Sequence, residues 1–223
     1  DTTRFDDIFR MALRMIIWIS LPVSIIAFFA RGYVVSFIKN GGQPVIASIL
    51  GSLVLAIFAQ SIFHIASRGF YARQDNKTPF IVSIIAVGFT MLLSIIFSII
   101  GFGPDGLGWA QSIGAVLEIF ILLFILQKKS RQNLLNKSFW SAFSRMLLAT
   151  IVTGVSAYIL TKLLPLRATD NSVFVIIPKF FIISVISLTA YLAASFLLDL
   201  EEVQPFFEKL NKILFRNVRP KDK

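Results

Sequence analysis

Cysteine is absent from the 223 residues, which excludes disulfides and thiolate metal sites. Histidine occurs once, as His64, with no second metal ligand near it in the sequence. Charged residues make up only 15% of the chain, against about 25% in a typical soluble domain. Acidic residues number 12 against 22 basic ones. No nucleophile–base arrangement, metal cluster, phosphate loop or ATPase motif is visible, so the chain reads as a non-enzyme with no cofactor. Hydrophobic residues are abundant, at 56%, and the mean hydropathy is +0.79. The chain therefore reads as an integral membrane protein.

A spanning helix needs about 20 mostly apolar residues. Six segments qualify: Met15 to Ile38, Pro44 to Ser67, Phe80 to Phe102, Gly106 to Leu126, Ala142 to Leu164 and Val173 to Leu198. The expected fold class is an all-α polytopic transmembrane bundle of six spans. Its expected parts are an interfacial helix at 1–14, four spans across 15–127, a basic loop at 128–141, two further spans across 142–198, and an amphipathic basic tail at 199–223. Small residues four apart, Ala47/Gly51 and Ala110/Gly114, suit close helix contact.

Charge then sets direction. The segments 1–14, 68–79, 127–145 and 199–223 hold 3, 3, 5 and 6 Lys/Arg, leaving only Arg31, Lys39, Lys162, Arg167 and Lys179 toward the other side. By the positive-inside rule both termini of the chain lie in the cytoplasm. The net charge of +10 is thus read as membrane orientation and contact with anionic phospholipid, not as a nucleic-acid site. The tail face of Val203, Phe206, Phe207, Leu210, Ile213 and Leu214, flanked by Lys209, Lys212 and Arg216, suits a lipid surface. Asp1 in place of methionine is consistent with a longer polypeptide.

The densest polar run is Tyr71-Ala72-Arg73-Gln74-Asp75-Asn76-Lys77-Thr78-Pro79, between two apolar segments. Such a run cannot lie in hydrocarbon and must face water at a membrane surface. Its charges have two compatible readings: a pinned turn with Thr78 and Pro79 starting the third span, or cations that steer an anionic substrate. Gln60, His64, Ser67, Arg68 and Tyr71 form one polar stripe on the second span, which either lines a wet cavity or places Arg68 among headgroups. Glu118 is the one ionisable group of the fourth span. It is either a neutral, hydrogen-bonded acid or a group coupling a proton or cation to transport. Gly101-Phe102-Gly103-Pro104-Asp105-Gly106 spells a dinucleotide fingerprint, but no strand precedes it and it reads as a tight turn.

The stretch Gly69 to Pro79 resembles the (G)FY-(A or S)-RQD-x-KTP signature of the MurJ (MviN) lipid II flippases, within the multidrug/oligosaccharidyl-lipid/polysaccharide exporter superfamily. Arg10-Met11-Ala12-Leu13-Arg14, Leu21-Pro22, Ala30-Arg31-Gly32, Phe37 with Asn40-Gly41-Gly42, Gly106-Leu107-Gly108 and Gln127-Lys128-Lys129 are similar to further family elements. The resemblance implies the last six of fourteen spans in a bacterial inner membrane. It implies alternating-access flipping of lipid II, the undecaprenyl-pyrophosphate-linked disaccharide-peptide, from the inner to the outer leaflet. The partners would then be lipid II and the missing N-terminal spans of the same protein. The final two spans would contribute a hydrophobic groove for the lipid tail. Arg68 and Arg73, with His64, Gln60 and Glu118, are the cavity candidates within this chain. Two rival functions remain open: another polysaccharide-lipid or drug exporter of the superfamily, and a non-transporting scaffold for cell-wall enzymes.

Overall fold

The computed structural model describes residues 2–38, 43–130, 134–167 and 172–204, residues 2–4 by their backbone alone. The basic tail at 205–223 and the turn at 39–42 lie outside the described residues. Every described element is helical. The order is α1 (Thr2–Phe29), α2 (Arg31–Ile38), α3 (Pro44–Ser52), α4 (Val54–Tyr71), α5 (Lys77–Ile100), α6 (Gly103–Lys129), α7 (Lys137–Leu163), α8 (Val173–Leu197) and a short 3₁₀ turn at Glu201–Val203. Hydrocarbon offers no partner for free N–H and C=O groups, so helices that bond internally are the available solution.

Five single helices are long and apolar enough to cross a membrane, and α3 with α4, bent by 41° between them, make a sixth when the pair is counted as one span. The count is thus five, or six with that pair taken as one span, in line with the six-span expectation. Helix α1 runs without interruption from Thr2 to Phe29, and Ala30 separates it from α2. The second span divides at Leu53.

Helices α5, α6, α4, α1, α7 and α8 pack in that order, each against the next. Leu13, Phe70, Leu122, Leu126 and Met146, from α1, α4, α6 and α7, are buried in one continuous core cluster that follows this order. Across the bundle Trp18 Nε1 donates to Ser195 Oγ at 3.3 Å, while the Tyr191 hydroxyl donates to the Trp18 carbonyl at 2.8 Å. The outward side chains of α5 are mostly large and apolar, and only Pro79, Val82 and Ala86 of that helix are buried.

Close approach depends on glycine at specific crossings. A Cβ on Gly69 would come within 2.7 Å of the Phe9 ring, and one on Gly114 within 1.9 Å of Thr90 Oγ1. The small pair Ala110/Gly114 thus serves α5–α6 contact through Gly114, while Ala110 is fully buried. Three helix ends close with the same pair of backbone bonds and a left-handed residue: Gln74 after α4, Gly101 after α5 and Asp199 after α8.

Gly114→Ala is expected to destabilise the bundle by roughly 1–3 kcal/mol through overpacking. Thr90→Ala added to it should recover most of that loss. Thermal unfolding in detergent of the two variants, compared with the unmodified chain, checks both statements.

Candidate functional site

The polar run between α4 and α5 is a knot of side chains. Arg73 Nη2 donates to Asp6 Oδ1 at 2.6 Å, and Nη1 donates to the Lys129 carbonyl at 2.8 Å. Asp6 is fully buried, and its carboxylate reaches the turn from the first turns of α1. The guanidinium also stands 5.1 Å from the Phe5 ring centre. A single arginine therefore joins α1, the α4–α5 turn and the end of α6. Arginine suits this role because its planar fork reaches several acceptors at once.

Asp75 completes the knot. Its Oδ1 accepts from the Thr78 backbone N–H at 3.1 Å and its Oδ2 from the Thr78 hydroxyl at 2.6 Å, which caps the start of α5. Lys129 also donates to Asp75 and reaches Thr78 Oγ1 at 3.3 Å. The Lys129 hydrogen bond, followed by those from Thr78, holds the Asp75 carboxyl well below the usual carboxylate range. Pro79 is buried in the first turn of α5, where its missing N–H leaves no bond unmade.

Gln74 is the unexpected member. It adopts φ +59°, where a side chain costs about 1–2 kcal/mol relative to glycine. This conformation lets the Asp75 N–H return to the Phe70 carbonyl at 3.0 Å and the Gln74 N–H to Tyr71 at 2.9 Å. Its exposed side chain makes no hydrogen bond among the described residues.

The remaining candidates fall in three places. His64, Arg68 and Tyr71 are exposed along α4 and Gln60 is half-buried, so the stripe is displayed as one face. Ser67 leaves it: it is turned inward and its hydroxyl is buried. Arg68, in the last turn of α4, makes no hydrogen bond or ion pair among the described residues, unlike Arg73. Lys77 is exposed beside the knot. Glu118 lies elsewhere, at the α5–α6 contact, where its Oε1 accepts from the Ser83 hydroxyl at 2.6 Å. No grouping of three potential metal ligands occurs among the described residues.

Several partners escaped the sequence reading. Asp6, Lys129 and Ser130 lie far along the chain from Arg73, and only the need of the run's charges for counter-charges hinted at them. A second lock at the same end joins Arg14 to Glu201 at 3.0 Å and to the buried Glu202. Asp7, Arg10, Arg14, Glu201 and Glu202 there border a cleft of about 320 Å³. At the opposite end of α1 and α2, Tyr33 donates to the Leu164 carbonyl. Beside it Tyr33, Val34, Phe37, Ile176, Ile177 and Phe180 line an apolar groove of about 260 Å³ between α2 and α8.

The family described as lipid II flippase MurJ matches residues 1–179. The probable lipid II flippase MurJ of Haemophilus influenzae is 30% identical over 155 residues, covering 66% of this chain and 29% of that protein. That of Borreliella burgdorferi is 27% identical over 123 residues, covering 52% of this chain and 24% of that protein. The lipid II flippase MurJ of Thermosipho africanus is 26% identical over 130 residues, 56% of this chain and 27% of that protein. The chain thus aligns with about a quarter of the length of these relatives. A solved lipid II flippase MurJ in an inward closed conformation shares the fold, with a TM-score of 0.67 at 21% identity over 98% of this chain and 41% of that one.

Two outcomes are expected at the knot. Because the folded Asp75 is depressed, its contribution to stability is fully present above the ordinary carboxylate pKa near 3.8 and is lost only as pH falls below it. The gap in melting temperature between the unmodified chain and Asp75→Asn should therefore be constant from about pH 5 to pH 8 and shrink below about pH 4. Gln74→Gly should raise the melting temperature, reflecting relief of about 1 kcal/mol of backbone strain.

Proposed function

Because the chain belongs to the lipid II flippase MurJ family, we propose that it serves, as the C-terminal part of a longer protein, to carry lipid II from the inner to the outer leaflet of the bacterial inner membrane by alternating access. In this reading the end of the bundle holding Arg73, Asp75, Lys129 and Arg14 faces the cytoplasm. The excess of Lys and Arg there supports that direction.

The observation that carries the reading is the uncovered polar face of α4. A spanning helix that displays Gln60, His64 and Arg68 needs water or further protein against that face, since hydrocarbon would strip their solvation. Missing N-terminal spans would close a cavity over it. The substrate head carries a pyrophosphate whose desolvation in lipid would cost several kcal/mol or more. Arg68 presents a charge-assisted, forked donor to that group near the cytoplasmic mouth. Arg73 has its donors taken by Asp6 and Lys129, so its part is to hold the mouth in shape. Lys77, exposed beside it, steers the anionic head. Glu118, already bonded to Ser83, acts as a packing acid of the α5–α6 contact. The apolar groove between α2 and α8 suits the isoprenoid tail, which stays in an oily setting while the head crosses.

Reconstituted vesicles test the assignment. The full-length protein should move lipid II faster than other lipid-linked oligosaccharides, and Arg68→Ala should lower that rate roughly 10- to 100-fold, the range expected for losing a charged hydrogen bond. Equal transport of an unrelated lipid-linked sugar would favour a broader exporter. No transport of any lipid, with Arg68→Ala cells making normal cell wall, would favour a scaffold.

A further inference from the structure

The bend in the second span has a specific cause. In an unbroken helix the Ala56 N–H would bond directly to the Ser52 carbonyl, four residues back. Here the hydroxyl of Ser112, from α6, stands between them. Ser112 Oγ donates to the Ser52 carbonyl at 2.6 Å and accepts from the Ala56 N–H at 3.1 Å. Both backbone groups are thus satisfied while the helix opens by 41°. Two recognised origins of a sharp kink meet here: the Gly51-Ser52 pair beside the break, whose Ser52 hydroxyl bonds back to the Ile49 carbonyl at 2.8 Å, and a side chain inserted into the backbone ladder, which holds the opening. The inserted hydroxyl, that of Ser112, is fully buried and comes from 60 residues away in the chain.

The same face of α6 grips the outer half of that span at two further points. Asp105 Oδ2 accepts from the Ser48 hydroxyl at 2.7 Å, and a Cβ on Gly108 would fall 1.9 Å from Ser52 Oγ. Asp105, Gly108 and Ser112 are spaced three and four apart, which places them on one side of α6. On the other side of α3, a Cβ on Gly51 would meet Arg31 Nη1 at 2.9 Å. The short helix α3 is therefore seated between α2 and α6, with its angle to α4 set at Ser112.

We propose that Ser112 is a positioning residue for transport: its hydroxyl keeps the second span bent and so sets how α3 stands relative to the polar face of α4. Without the hydroxyl, the Ser52 carbonyl and the Ala56 N–H can satisfy each other only by direct bonding, which straightens the span. With it, the bent form leaves neither group unpaired, and burial makes that satisfaction count. The role of the bend in moving substrate rests on the flippase reading above; the cause of the bend does not.

The test uses the full-length protein in lipid nanodiscs, labelled at Val45→Cys in α3 and Ile99→Cys in α5, both exposed. A swing of 41° about Leu53 carries the start of α3 by about 8 Å at 1.5 Å rise per residue. Ser112→Ala should shift the spin-label distance by several ångströms and lower lipid II transport at least tenfold. Ala56→Pro added to it should restore both, because proline has no N–H to offer and its ring clashes with the carbonyl four residues back. Restoration by proline is a result that lost packing at Ser112 would not give. An unchanged distance in Ser112→Ala overturns the proposal. So does a restored distance with transport still lost. If the unmodified protein moves no lipid II, the flippase reading fails, and the label distances still decide whether Ser112 holds the bend.

Discussion

A buried carboxylate must be met by a cation or by several donors, and Asp6 is met by Arg73. That requirement organises one end of the bundle. Asp6 fixes how far α1 extends, Arg73 fixes the turn between α4 and α5, and the Lys129 carbonyl fixes where α6 ends. The three helices could slide along one another in lipid, where apolar contacts are nearly interchangeable and packing alone discriminates poorly. A charged knot sets their register at a single point. Glycines at 69 and 114 then define how closely the helices approach away from it.

The knot also explains why one face of α4 stays available. Its inward side is occupied by Ala59, Ile62, Ala66 and Phe70 against α1 and α6. The knot holds the lower end of α4 and Ser112 holds its upper end, so the helix is fastened at both limits. The polar side chains between them are held in place without taking part in any fastening. This division leaves Arg68 without a hydrogen bond or ion pair among the described residues, while Arg73, five residues later, bonds to Asp6 and Lys129.

The fold was largely legible in the sequence. Apolar run length and the alternation of Lys and Arg give six spans, because both follow from the bilayer as a solvent. The breaks were not legible. At Leu53 the sequence offers only the adjacent Gly51-Ser52 pair, and the Ser112 hydroxyl that fills the opening comes from another helix. The pinned turn was readable as a turn and its Thr78–Pro79 helix start was expected, but the partners of Arg73 were not, because pairing over 67 residues leaves no periodic trace. Sequence placed Ser67 in the polar stripe by spacing alone, and packing turned it inward. Gln74 in a left-handed conformation ran against its residue type, which favours glycine there.

The contrast between α5 and the broken second span bears on how the chain enters the bilayer during synthesis. Helix α5 has a mean hydropathy of 2.7 in its most apolar window with little of it buried by the rest of the chain, so it partitions into lipid on its own. The α3–α4 pair qualifies only as a joined span, carries the polar face, and has a backbone opening that α6 must fill. The hydroxyl that closes that opening lies some sixty residues further along the chain, so the backbone of the α3–α4 pair is fully satisfied only with α6 beside it.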